Sequence, residues 1–216
     1  MAMQIGIIGS GDVALSLGSG LLDAGYQVMV GTRDQNKKSL QDWNKARKNK
    51  AQIGSTTQAA AFGEIAILAI TWHAADDVLT LVRPELAGKI VIDVTNPIVF
   101  SEDEAPSLAV GHTISGGEIV QQSLPDSHVV KTLNFISHAN MVKPDYSEGT
   151  PIMFVCGNND SAKQQVRELL NDLGWQDILN LGPVEKCRLI EPLSLLWIEY
   201  GANRDTWSHA FSVLEK

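Results

Sequence analysis

Three clusters in this chain have residue types and spacings that could do chemistry. The first is Gly9-Ser10-Gly11-Asp12-Val13-Ala14, directly after the apolar run from Met3 to Ile8. In a Gly-x-Gly-x-x-Ala turn the first glycine permits a sharp bend, the second leaves the main chain open to a phosphate, and the alanine lets the following helix pack closely on its strand. Unpaired amides at that helix start attract an anion, so Gly9, Gly11, Asp12 and Val13 are candidate contacts to a dinucleotide pyrophosphate. The second cluster is Gly31-Thr32-Arg33, about twenty residues further on, where NAD-binding folds place an acid on the ribose 2′-hydroxyl. A hydroxyl and a guanidinium there would instead bind a 2′-phosphate by charge-assisted hydrogen bonds, which favours NADP. Asp34 is the alternative acid if the strand ends a residue or two later, and Lys37 can add a second positive charge.

The third cluster, Trp72-His73, follows the wholly apolar run Ile65 to Ile70. Ligands of open α/β sheets bind beyond the carboxyl ends of strands, so Trp72 is expected to wall a pocket. Hydride transfer between two carriers depends on ring placement and water exclusion, so no catalytic triad is expected. A carbonyl acceptor would need a proton donor, for which His73 and His138 are the candidates, with a surface or structural imidazole as the plain alternative.

Elements to carry these residues are legible in the hydrophobic pattern. Apolar, β-branched runs recur at Ile5 to Ile8, Gln27 to Val30, Ile65 to Ile70, Lys89 to Val94, His128 to Leu133 and Ile152 to Val155. Helices are predicted over Asp12 to Ala24, around Lys37 to Lys48, over Ala74 to Val82, Gly117 to Ser123 and Ser161 to Leu173, and after Pro192. That alternation predicts an α/β fold, a doubly wound and mostly parallel sheet of Rossmann type with a short C-terminal α/β extension. The predicted division is a dinucleotide-binding domain over 1–145 and a βαβα extension over 146–216 that packs on it. Phe100 to Thr113, with its acids and Pro106, reads as an irregular excursion beside the cofactor or as a plain surface loop. The apolar residues Leu193, Leu195, Leu196, Trp197, Ile198 and Tyr200 suggest burial on several sides, by a subunit interface, a lid or the chain's own core.

Bulk properties narrow the function. A chain of 216 residues with 44% apolar content can bury a substantial core. Its net charge of -8 disfavours general nucleic-acid binding and leaves room only for a local anion site. The two cysteines, Cys156 and Cys187, have no metal-ligand spacing and form no disulfide framework, so buried thiols and a cytoplasmic location are expected, with no metal. No apolar run approaches the length of a membrane span, and no membrane association is expected.

These clusters occur together with Asp93-Val94-Thr95-Asn96-Pro97, Lys131-Thr132-Leu133-Asn134, Val155-Cys156-Gly157-Asn158-Asn159-Asp160, Leu181-Gly182-Pro183 and Arg188-Leu189-Ile190-Glu191-Pro192-Leu193. In that combination the chain resembles, over nearly its full length, the coenzyme F420-dependent NADP oxidoreductase family. The resemblance implies a small Rossmann enzyme that forms a homodimer and passes a hydride between NADPH and a deazaflavin stacked on its nicotinamide. It also implies that Ser10, Thr32, Arg33 and Lys37 contact NADP phosphates. Ile70, Thr71, Trp72 and His73 would line the nicotinamide side, with Asn96 and Pro97 after the next strand. Membrane ferric reductases carry a related cytosolic domain, so the acceptor stays open between coenzyme F420, a flavin and another small redox molecule. Two other readings remain beside this one, an NADPH-binding regulatory module without catalysis and a small carbonyl or imine reductase.

Overall fold

The computed structural model describes residues 2–101 and 105–216. In chain order the elements are β1 (Gln4–Ile8), α1 (Asp12–Asp23), β2 (Gln27–Gly31), α2 (Lys38–Ala46), β3 (Gln52–Gly54), α3 (Thr56–Phe62), β4 (Ile65–Leu68), α4 (Ala75–Leu86) and β5 (Ile90–Asp93). They continue with β6 (Ile98–Val99), β7 (Ser107–Leu108), α5 (Gly116–Ser123), β8 (His128–Lys131), β9 (Ile152–Cys156), α6 (Asp160–Asp172), β10 (Asp177–Gly182) and α7 (Cys187–Arg204). Eight strands form one sheet in the order β10-β9-β8-β5-β4-β1-β2-β3. All pairs from β3 to β8 are parallel. β4 and β5 are apolar but for Asp93 and buried along their whole length, as strands covered by helices on both faces must be.

The chain winds outward from β1 in one direction and from β4 in the other, so the strand order reverses between these two neighbours. Their carboxyl ends therefore flank the crevice in which such sheets take ligands. Beyond β8 the sheet changes direction: β9 meets β8 antiparallel through the Lys131 and Cys156 pair, and β10 runs parallel to β9. Residues after Pro144 thus extend the same sheet. Helix α6 covers them by turning Ala162, Val166, Leu169 and Leu170 inward, the spacing of a helix with one apolar face.

Several elements differ from the sequence expectation. β3 and α3 lie in a stretch that was given neither strand nor helix. Three residues are too few to show a period, while α3 is announced by its capping box, in which Ser55 accepts from Gln58 and the Gln58 side chain accepts from the Ser55 amide. β10 (Asp177–Gly182) supplies the second strand of the expected βαβα extension, although no run was assigned to it, since its exposed Asp177, Leu179 and Asn180 leave no continuous apolar stretch. β4 ends at Leu68, which leaves Ala69 to Thr71 in a loop and Trp72–Ala74 in a 3-10 turn. α7 begins at Cys187 and carries Pro192 within it, where a start at Pro192 was expected. In the stretch expected to be irregular from Phe100 to Thr113, Ser107–Leu108 (β7) pairs antiparallel with Ile98–Val99 (β6), which precedes it; the acids Glu102, Asp103 and Glu104 lie outside the described residues.

The bend after β1 leaves no room for a side chain. Gly9 has φ of +127°, and a β-carbon there would lie 2.0 Å from the Ala69 carbonyl oxygen. Gly9 is therefore required by the loop that follows β4, whatever binds in front of it. Gly9→Ala is expected to cost about 3 kcal/mol or more in urea unfolding, through left-handed strain and a backbone clash. A cost below about 1 kcal/mol would contradict this account of the turn.

Candidate functional site

The carboxyl edge of the sheet collects most of the residues singled out from sequence. Parallel register places Ile8 beside Gly31 and beside Leu68, and Leu68 beside Asp93. The loops that follow these four residues must then open onto one crevice. Gly11 caps α1 without a side-chain hydrogen bond, and a β-carbon on it would meet nothing within 4 Å. The turn consequently presents bare main chain and helix-start amides to open space, which fits an anionic pyrophosphate. Asp12 and Val13 begin α1 there, and Ala14 is buried beneath.

Hydrogen bonds tie this turn to the end of β2. The Ser10 hydroxyl donates to Thr32 Oγ1 at 3.0 Å, and Lys37 Nζ donates to the Ser10 carbonyl at 2.9 Å. Thr32 Oγ1 also accepts the Asp34 amide at 3.2 Å. The Asp34 carboxylate accepts the Asn36 amide at 2.9 Å, so it is engaged within its own turn. β2 ends at Gly31, which places Thr32 and Arg33 as its first residues beyond the sheet. Arg33 is exposed and has no ion-pair partner among the described residues. A hydroxyl and an ammonium thus lie beside the open turn, with Arg33 next to Thr32 in the chain; together they make a donor set suited to a phosphate dianion.

The other side of the crevice is built on β4, β5 and β8. Ile70 and Trp72 are half-buried there, while Thr71 and His73 are exposed, with Thr71 Oγ1 3.4 Å from His73 Nε2. The Asn96 side chain donates to the Asn134 carbonyl at 2.5 Å and accepts from Asn134 Nδ2 at 2.9 Å, joining the loops after β5 and β8. Between these asparagines and β8, buried Leu133 adopts φ of +58°, a left-handed conformation that costs energy in a residue of this kind. Trp72 and Pro97 converge on Gly116 at the start of α5, since a β-carbon there would sit 3.2 Å from Trp72 Cη2 and from Pro97 Cδ. His138 lies apart from His73, exposed in a 3-10 turn, with Nδ1 3.3 Å from the Ser16 hydroxyl of α1.

Behind this wall lies an ion cluster to which the sequence reading gave no role. Lys131 Nζ is 2.9 Å from Asp93 Oδ2 and 3.1 Å from Glu191 Oε1, with all three side chains out of contact with solvent. Burial alone would push the Lys131 ammonium down, but Asp93 and Glu191 overcome it and hold its pKa above the ordinary lysine value. Asp93 Oδ1 accepts the Thr95 amide and hydroxyl at 2.9 and 2.7 Å. Glu191 accepts the Gly116 and Gly117 amides at 2.9 and 2.8 Å. A usable signal was present, because Asp93 and Lys131 close two apolar strands with charges in matched register. Cys156 and Cys187 are buried beside the cluster with their sulfurs 3.2 Å apart, and the hydrogen bond between them, with burial, pushes the Cys187 thiol up. Among the described residues no group of acids, histidines and cysteines could hold a metal ion, and no helix is long and apolar enough to cross a membrane.

Comparison with known proteins gives the following. The family described as NADP oxidoreductase, coenzyme F420-dependent, matches residues 4–97. A solved structure from Arthrobacter sp. FB24, provisionally assigned as an F420-dependent NADP-reductase, superposes with a TM-score of 0.93 at 32% identity, covering 99% of this chain and 100% of that one. The F420-dependent NADP reductase of Methanocaldococcus jannaschii is 29% identical over 91% of each chain. The metalloreductase STEAP3 of Rattus norvegicus is 30% identical over 90% of this chain, which spans only 37% of that protein.

One electrostatic contact at this site is open to a pH test. Arg188 of α7 pairs with Glu118 of α5, and that hydrogen bond, against the opposing effect of burial, holds the Glu118 carboxyl below its ordinary value of 4.5. A depressed folded pKa contributes stability that is complete above the unfolded value and is lost as pH falls through the folded one. Arg188→Met should therefore lower Tm at neutral pH, and the gap to wild type should narrow on acidification well below 4.5. Thermal melts by circular dichroism check this, and a gap independent of pH would contradict it.

Proposed function

Because this chain belongs to the coenzyme F420-dependent NADP oxidoreductase family, we propose that it binds NADP(H) along the carboxyl edge of its sheet and moves a hydride between that cofactor and a flavin-like or other small redox acceptor. The observation that carries this reading is the open Gly11 turn bounded by Ser10, Thr32 and Lys37, with Arg33, which has no ion-pair partner among the described residues, next to Thr32 in the chain. Gly9, Ser10, Gly11, Asp12 and Val13 would take the pyrophosphate on helix-start amides. Thr32, Arg33 and Lys37 would hold the 2′-phosphate.

Bound NADPH supplies the hydride and its electron pair. What the protein adds is position. Ile70, Thr71, Trp72 and His73 would place the nicotinamide at the end of β4, and Asn96 and Pro97 would close it from the end of β5. Trp72 and Pro97, which meet at Gly116, would exclude water and orient a planar partner. His73 and His138 are both exposed, and transfer between two carriers asks neither for a proton. Coenzyme F420 is the redox partner that the M. jannaschii relative's name gives, and a flavin has the same planar form. We take the protein to act as a homodimer, to which Leu189, Leu196 and Tyr200 of α7, each 47% exposed or more, would contribute an apolar face.

Arg33→Ala should weaken NADPH binding by roughly 1.5 to 3 kcal/mol, the range for a hydrogen bond to a charged group, and leave NADH binding little changed. Titration calorimetry with both nucleotides measures this. Equal losses would refute the 2′-phosphate assignment. Turnover is tested by stopped-flow oxidation of NADPH against F420, flavins, ferric chelates and aldehydes. Reduction of F420 or a flavin supports the reading. Binding of NADPH without oxidation by any acceptor would replace it with a sensing role.

A further inference from the structure

Hydride transfer makes no direct use of the buried cluster of Lys131, Asp93 and Glu191, yet this cluster joins the two segments that meet at Trp72. Asp93 fixes the turn into Asn96 and Pro97 through Thr95. Glu191, projecting from α7, holds the first two amides of α5. Lys131 sits between the two carboxylates and locks their separation.

Helix α5 does not need Glu191 in order to start. Ser115 and Glu118 already form a complete capping box, a local device that satisfies the free amides at a helix start. Burying a further carboxylate and an ammonium carries a desolvation penalty that their attraction barely repays, so stability alone is a weak reason for the arrangement. What Glu191 adds is location. Gly116 lies where a single β-carbon would be 3.2 Å from Trp72 Cη2, Pro97 Cδ and Glu191 Oε1 at once. Any drift of the α5 amino end is felt directly by the indole.

We propose that Glu191 is a positioning residue: through the Gly116 and Gly117 amides it presses the start of α5 against Trp72 and Pro97, and so sets the shape of the nicotinamide pocket from the C-terminal extension. This rests on the placement of the nicotinamide beside Trp72 given above.

The test separates the two ends of the cofactor and requires no acceptor. Affinities for 2′,5′-ADP, which reports the phosphate end, and for NADPH are measured by calorimetry, together with the emission of the bound dihydronicotinamide. In Glu191→Gln the shape is kept, but one amide loses its acceptor and Lys131 loses a counter-charge. The 2′,5′-ADP affinity should stay at the wild-type value, NADPH should bind roughly fivefold more weakly, and its emission should shift toward that of free NADPH. Gly116→Ala, whose β-carbon would crowd Trp72, Pro97 and Glu191 alike, should give the same split and tests the contact through which Glu191 acts if Glu191→Gln does not fold. Wild-type behaviour of both ligands in Gly116→Ala and in folded Glu191→Gln, or equal weakening of both ligands, would overturn the role of Glu191 alone. Wild-type protein that binds NADPH no better than 2′,5′-ADP, with the emission of free NADPH, would overturn the nicotinamide placement and this assignment with it.

Discussion

One ammonium held between two carboxylates, all three out of water, connects the parts of this molecule that are otherwise far apart in sequence. Lys131 ends β8, Asp93 ends β5 and Glu191 lies on α7. The first two are neighbours because the strands are parallel and in register. The third arrives only because the chain reverses at β9, and packs α7 back toward the carboxyl edge. Removing Lys131 would leave two buried carboxylates without a counter-charge, which is far more costly than never having built the cluster. The cluster therefore makes the pocket wall, the sheet and the C-terminal extension interdependent.

Electrostatics on the opposite side of the crevice is arranged differently. The chain carries a net charge of -8, yet it places Lys37 beside the Gly11 turn and, after Thr32, an exposed Arg33 with no ion-pair partner among the described residues, while Asp34 is engaged by the Asn36 amide. A local cationic site in an acidic protein can hold an anionic ligand while the overall field discourages polyanions such as nucleic acid. Because these cations are exposed, their attraction is screened by salt, whereas the buried cluster is not. The proposed phosphate binding and the shape of the crevice would thus respond to different conditions.

The parallel sheet and the residues around its glycine turn were legible because strong local signals coincide: an apolar run, a fixed glycine spacing, and helical periodicity in Val13, Leu17 and Leu21. β3 and α3 were not, since a three-residue strand has no period to detect and the Ser55 to Gln58 capping box passes easily for loop chemistry. Glu191 was quoted for its motif but not for its task, because a carboxylate beside Pro192 in a half-apolar helix looks solvated until the fold brings Gly116 to it. The reason for Gly9 also needed the structure. Its spacing suggests phosphate access, while its surroundings show that the Ala69 carbonyl already forbids a side chain. Gly11, with nothing within 4 Å of its would-be β-carbon, is the position where access fits the name.

A crystal structure of the protein with NADP+ would test the central claim most directly. The account predicts the 2′-phosphate on Thr32 and Arg33, the pyrophosphate on the amides after Gly9, and the nicotinamide ring against Trp72 and Pro97. A dinucleotide bound elsewhere, or one whose 2′-phosphate points away from Arg33, would contradict it.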